Sequence, residues 1–249
     1  MKQLLFNGIL LFVAALASER SLGQDAAGSF QPLNDRLPPG YNAEILRRVR
    51  DSDPYWLQPL RVHLPTTGRV AVHNGESLAA ATGPAPAQFA ASPGYLYRLH
   101  VSDLPEFPGV SFYPSVELLD RLHPPTGREH QFPVPVILTE ADLQAAAAGL
   151  MVTRVIYLEN PRLAASDDPL QRDLPLSGEE QKNAVAVATE LGRPMAIIRL
   201  GSRQPAAEGT PTGFFGNGGQ IGPSNPSGED AGFAKMSSAR RIQQVSAER

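Results

Sequence analysis

Apolar and polar positions alternate most clearly between Pro93 and Leu158. In Tyr95–Val101 the side chains of Tyr95, Tyr97, Leu99 and Val101 share one face, and Arg98 and His100 share the other. That period of two is the mark of a half-buried strand. A second strand follows at Phe112–Leu119, with Phe112, Val116 and Leu118 opposite Tyr113, Ser115 and Glu117. Pro114 has no N–H to give a ladder, so this strand is expected at an edge or with a bulge. Val134–Leu138, framed by Pro133 and Pro135, reads as another edge strand, and Val152–Leu158, β-branched and aromatic, has the strongest strand signal. Between these two, Thr139–Gly149 predicts a short helix. Thr139 can cap it, Glu140 and Asp142 complement the positive end of its dipole, and Gly149 supplies the left-handed residue that stops it.

A second cap–helix–glycine–strand unit is expected downstream. Ser177-Gly178-Glu179-Glu180 forms a capping box, Ala184, Val185, Ala188 and Leu191 share a helix face, Gly192 ends it, and Met195–Leu200 is the strand. Upstream, Leu60–Leu64 and Arg69–His73 predict a hairpin across the turn Pro65–Gly68. Ser77–Ser92 is rich in Ala, Gly and Pro and reads as a loop. Ala43–Arg50 allows two helical turns, ended by Asp51–Pro54. Its Arg47, Arg48 and Arg50 suit either an anionic surface or a solvated helix face.

The ends differ from this middle. Lys2 followed by the apolar run Leu4–Ala17 has the layout of a secretory signal peptide, with small residues for cleavage at Ala15 and Ala17 or at Ser21 and Gly23. The run is shorter than the roughly 20 residues that span a bilayer. The expected organisation is therefore a signal peptide at 1–23, a tether with a possible short helix at 24–59, a β-rich globular domain at 60–201, and a Gly/Pro/Ser-rich tail at 202–249. The tail is expected to be disordered because so little apolar surface cannot offset chain entropy.

Composition agrees with short strands and turns: 42% of residues are apolar, with 24 Pro and 22 Gly. A net charge of −3 gives no basis for a nucleic-acid surface. With no cysteine, disulfides, thiolate metal sites and cysteine nucleophiles are excluded.

Motifs for chemistry are sparse. The chain has no Gly-x-Ser-x-Gly elbow, no His-Glu-x-x-His helix and no phosphate loop. Gly216-Asn217-Gly218-Gly219 follows no strand and reads as linker. His123, Glu129 and His130, with His100 nearby, are the candidate metal ligands, since two imidazoles and a carboxylate can hold zinc. An acid–base pair from Asp103, Glu106, Glu117 or Asp120 competes with the reading of strand-end carboxylates as solvated turn residues. Tyr55, Trp56 and Tyr113 are the candidate binding aromatics. Trp56 with Tyr55, between Pro54 and Pro59, suits a core-edge plug or a platform for stacking carbohydrate. A platform requires two or more of Tyr55, Trp56, Tyr95, Tyr97 and Tyr113 exposed on one face.

The segments Asp120-Arg121-Leu122-His123-Pro124-Pro125 and Val152–Glu159 resemble exported proteins of unassigned activity from planctomycete-type bacteria. Turns such as Leu104–Gly109 and Leu37-Pro38-Pro39-Gly40-Tyr41 are loosely similar to those of transthyretin-like and carboxypeptidase-regulatory-like β-sandwich domains. The resemblance implies an exported β-domain and carries no catalytic residue with it.

The expected fold is mainly β, a single antiparallel sandwich-like domain with two short helices, with a compact α+β domain as the alternative. The expected function is that of an exported, non-catalytic cell-envelope protein that binds or scaffolds, located in the periplasm, on the envelope or outside the cell. The alternatives are a carbohydrate- or peptide-binding module and a metal-dependent hydrolase using His123, Glu129 and His130. No cofactor is expected. The expected partner is an envelope protein or polysaccharide, not nucleic acid, with no membrane span after signal cleavage.

Overall fold

The computed structural model describes residues 33–50, 53, 55–161, 183–206 and 208–223. The expected signal peptide, the Ser177–Glu180 capping box and the chain after 223 lie outside the described residues. In chain order the elements are α1 (Tyr41–Val49), β1 (Gln58–His63), β2 (Arg69–His73), β3 (Ala81–Pro84), β4 (Ala87–Ala91), β5 (Tyr95–Ser102) and β6 (Ser115–Leu118). A 3-10 turn (Glu129–Gln131), β7 (Val134–Ile137), α2 (Glu140–Ala147), β8 (Val152–Glu159), α3 (Ala184–Leu191), β9 (Gly192–Leu200) and β10 (Ile221–Gly222) follow.

The strands form a four-stranded sheet in the order β10-β4-β1-β7 and a six-stranded sheet in the order β3-β2-β5-β6-β9-β8. Leu60, Val62, Phe89 and Val136 of the first meet Val72, Leu99, Val116 and Ile198 of the second in one buried cluster. Leu143 and Ala146 of α2 join that cluster. The domain is thus mainly β and sandwich-like, and the described residues hold three short helices, the two expected within it and the one allowed at Ala43–Arg50. Among the described residues no helix is long and apolar enough to cross a membrane.

The α2–β8 unit follows its local signals. Thr139 Oγ1 accepts from Asp142 N at 3.2 Å and Asp142 Oδ2 accepts from Thr139 N at 3.0 Å, a reciprocal capping box. Gly149 has φ 86°, the left-handed geometry that ends the helix. The α3–β9 unit is capped by Asn183, whose side chain accepts from Val185 N. Gly192 is required for a different reason than the expected stop. A Cβ there would lie 2.1 Å from the Leu158 carbonyl oxygen, so only glycine lets β9 start against β8.

Several expectations fail, each for a physical reason. Leu60–Leu64 and Arg69–His73 make no hairpin: β1 pairs with β4 and β7, β2 with β3 and β5, and Pro65–Gly68 is a corner between sheets. Turn chemistry fixes the reversal without fixing the partner. The β1–β7 pair is parallel, a departure from an all-antiparallel sandwich. Ser77–Ser92 contains β3 and β4, where Ala81, Gly83, Ala87, Ala90 and Ala91 are buried. Small side chains supplied little strand signal but pack closely once covered. β6 is an interior strand between β5 and β9. Pro114 sits just before it, in the irregular gap between β6 and an isolated Val101–Phe112 bridge, where only its carbonyl is used, by Leu99 N at 2.8 Å.

The largest correction concerns the tail. Residues up to 223 strap across the molecule, and Phe214 is only 4% exposed. Asn217 brackets Leu96, its side chain accepting from Leu96 N at 2.7 Å and its N–H reaching Leu96 O at 3.1 Å. β10 adds Ile221 and Gly222 to the edge of β4. The domain also begins earlier than Leu60, since α1 and the loop before it cover the outer face of the six-stranded sheet. There Glu117, fully buried, accepts from Arg199 Nη1 at 2.7 Å and from Ala43 N, the third residue of α1, at 2.8 Å. Arg199 Nη2 continues to the carbonyls of Asp35 and Leu37 at 3.1 and 3.3 Å. Asp35 in turn accepts from Ala184 N at 2.8 Å, tying α3 to the same network. Glu117 is therefore spent on structure and is not a free acid or base.

Candidate functional site

A cleft of about 410 Å³ lies where α1, Trp56 and the Leu119–His123 loop converge. The loop is pinned to both sheets. Leu119 N donates to Met195 O of β9 at 2.8 Å, and Leu122 N donates to Gln58 Oε1 of β1 at 2.6 Å. Gln58 is itself 1% exposed, so the loop is held by a buried amide.

Four arginines line this cleft: Arg47 and Arg50 from α1, Arg121 from the loop and Arg193 from β9. Asp120 organises two of them, its carboxylate lying 2.6 Å from Arg50 Nη1 and 3.3 Å from Arg193 Nη1. The other two are stacked. Arg47 sits 5.1 Å over the Tyr95 ring and Arg121 4.9 Å over the Trp56 ring. Among the described residues neither Arg47 nor Arg121 has an ion-pair partner. Their faces are covered and their N–H edges are uncommitted, an arrangement suited to binding oxyanions. Asp53 and His123 complete the polar lining.

Of the candidate binding aromatics, Trp56 reaches the cleft, with its indole N–H buried and unpartnered. Tyr55 is 82% exposed beside it, and Tyr113 lies elsewhere, stacked on His100 at a centroid distance of 4.7 Å. Tyr97 is fully buried, its hydroxyl donating to Ser92 O at 2.8 Å. Of these five side chains, then, Tyr97 is buried, Tyr113 lies apart, and one face each of Tyr95 and Trp56 carries a guanidinium. The candidate metal ligands are not brought together. His123 faces the cleft, the Glu129 carboxylate accepts from Gly127 N at 2.9 Å, and the carbonyl of His130 accepts from Gln88 Nε2 at 2.8 Å. The backbone N–H groups of Glu129 and Gly127 hold the Glu129 carboxyl below its ordinary value. Among the described residues no group of three or more His, Asp or Glu is placed to hold a metal ion.

Sequence reading singled out Arg47, Arg50, Trp56, Asp120 and His123 separately but not their convergence. Arg193 carried no signal at all, being one polar residue at the start of an apolar strand.

A second polar cluster lies beneath the strap. His73 and Arg98 are register partners on β2 and β5, 5% and 8% exposed. Arg98 Nε donates to Phe214 O at 2.7 Å and its Nη1 to Tyr113 O at 2.9 Å, while the Phe214 ring packs 4.6 Å from its guanidinium. Burial draws the Arg98 pKa down to about 10. His73 Nδ1 lies 3.2 Å from Glu76 O, which can only accept, leaving Nε2 as a buried unpartnered lone pair under Phe215. Burial lowers the pKa of His73 against the upward pull of the Glu76 carbonyl, and His100 and Arg98 add to the lowering. Burial also lowers His100, against a pull from Asp103.

Both imidazoles are thus harder to protonate in the fold than in the unfolded chain, where histidine takes up its proton near 6.5. The unfolded chain then binds more protons as pH falls, so stability is complete above about pH 6.5 and declines through the depressed folded values. Urea midpoints should fall between about pH 7.5 and about pH 5, and His73→Phe should flatten that slope. An unchanged midpoint across that interval contradicts the assignment.

Comparison with protein-family models, with curated proteins and with solved structures finds no match for this chain.

Proposed function

We propose that this chain is an exported, non-catalytic cell-envelope protein, whose sandwich-like domain binds an envelope polysaccharide or protein in the cleft beside Trp56. One observation carries the reading: the cleft is built from guanidiniums locked on Asp120 or stacked on aromatic rings. Arginine stays protonated at any working pH, so these four side chains recognise charge and shape and do not themselves exchange protons. Export is supported by the run from Lys2 to Ala17, and the resemblance to exported planctomycete-type proteins agrees with it.

The test uses full-length mature protein. It should cosediment with insoluble envelope polysaccharide or envelope protein and release no soluble sugar or peptide during prolonged incubation. N-terminal sequencing should show loss of the first 17 to 23 residues. Product release, stoichiometric bound zinc or an intact Met1 contradicts the reading.

A further inference from the structure

Resting on the binding role just proposed, we infer that the cleft selects an acidic saccharide, a polyhydroxylated chain carrying carboxylates, over a neutral one. Three features of the lining lead there. First, Arg47 and Arg121 approach from α1 and from the loop, each with its flat face against an aromatic ring and its N–H edge unpaired among the described residues. A guanidinium fixed this way has lost little further freedom to give up on binding, and its fork matches a carboxylate bidentately.

Second, Trp56 has Arg121 over its ring. A neutral sugar stacking on that face must displace the cation, whereas a carboxylate bonds to the cation where it stands. Third, Asp53 and Asp120 share the lining with the arginines. These carboxylates oppose a densely charged ligand such as a polyphosphate; Asp120 is engaged by Arg50, Arg193 and the Arg121 N–H, and Asp53 by the Tyr55 N–H, and the lone pairs they keep can accept from hydroxyl groups. Cations and acceptors side by side complement a ligand with one anionic group among several hydroxyls. The volume of about 410 Å³ falls in the range of organic-ligand sites and exceeds what a lone oxyanion fills.

Isothermal titration of mature full-length protein with tetragalacturonic acid, cellotetraose and inorganic phosphate tests this. The expected result is saturable binding of tetragalacturonate accompanied by a change in Trp56 fluorescence, weakening as salt rises. Arg47→Gln and Arg121→Gln should each weaken it by about tenfold to a hundredfold with melting temperature retained. Should a variant lose its melting transition, the salt series and ligand panel on the unaltered protein still decide. Equal binding of cellotetraose, binding of phosphate alone, or no binding of tetragalacturonate each overturns the inference. Cosedimentation with envelope material is scored separately. Retention on a neutral polymer leaves the binding role standing while this inference fails; retention on nothing removes both.

Discussion

Replacing Glu117 with Gln is expected to cost about 3–5 kcal/mol of stability. The carboxylate is fully buried against Arg199, which is itself only 6% exposed along its side chain. Removing the negative charge strands a guanidinium inside the protein with two carbonyls and no counter-ion, and desolvation of that lone cation dominates the loss. The effect should reach beyond the pair, because the second carboxylate oxygen holds the amide of Ala43 in α1. Thermal unfolding should show a melting temperature lower by on the order of 10 °C. Arg199→Met combined with Glu117→Gln should lose much less than the two single changes added together, since the pair fails as a unit. A single-variant loss below about 1 kcal/mol refutes the account.

Phe214→Ala is expected to cost about 3 kcal/mol and to open the strap to proteases. Phe214 packs against Phe215, Tyr113 and Arg98 at once, and its carbonyl takes the Arg98 Nε hydrogen bond. Truncating the ring removes the apolar cover from a buried cation, and water then competes for the guanidinium. Limited proteolysis should cut the variant between Arg203 and Gly219, where the parent resists. Phe132→Ala is the matched control: that ring is 45% exposed, and its loss should change stability by about 0.5 kcal/mol or less. Equal protease resistance of Phe214→Ala and its parent would show the strap to be held by its backbone contacts alone.

The same two regions show what the chain reveals before it folds. The face of β5 carrying Tyr97, Leu99 and Val101 is visible as alternation, and it does point into the core. The opposite face, with Arg98 and His100, looks solvent-bound for the same reason. It is covered by a strap whose glycines have no periodicity to announce it. Period-two patterns register side-chain polarity, and they miss polar groups that other segments bury and satisfy. β3 and β4 escaped notice because alanine and glycine have weak strand preference, though their smallness suits close packing. α2 was legible down to its cap because every determinant lies within Thr139–Gly149. The cleft was not: α1, Trp56, Asp120 and Arg193 are scattered along the sequence, and only the pairing of β6 with β9 places Asp120 beside Arg193.

The parallel β1–β7 ladder and the β10 edge have a consequence for how the molecule is made. Leu60 must find Val134, Ile221 must find Ala91, and Asp35 bonds Asn183 across 148 positions. Closing such spans precedes any reward from the contacts, so self-assembly should be slow, on the order of milliseconds to seconds. A nascent polypeptide that ends before β9 also lacks the cation that Glu117 needs. Until the last strands have joined, then, the half-made sheet is an open template with an orphan charge inside, and that interval is when chaperones matter most.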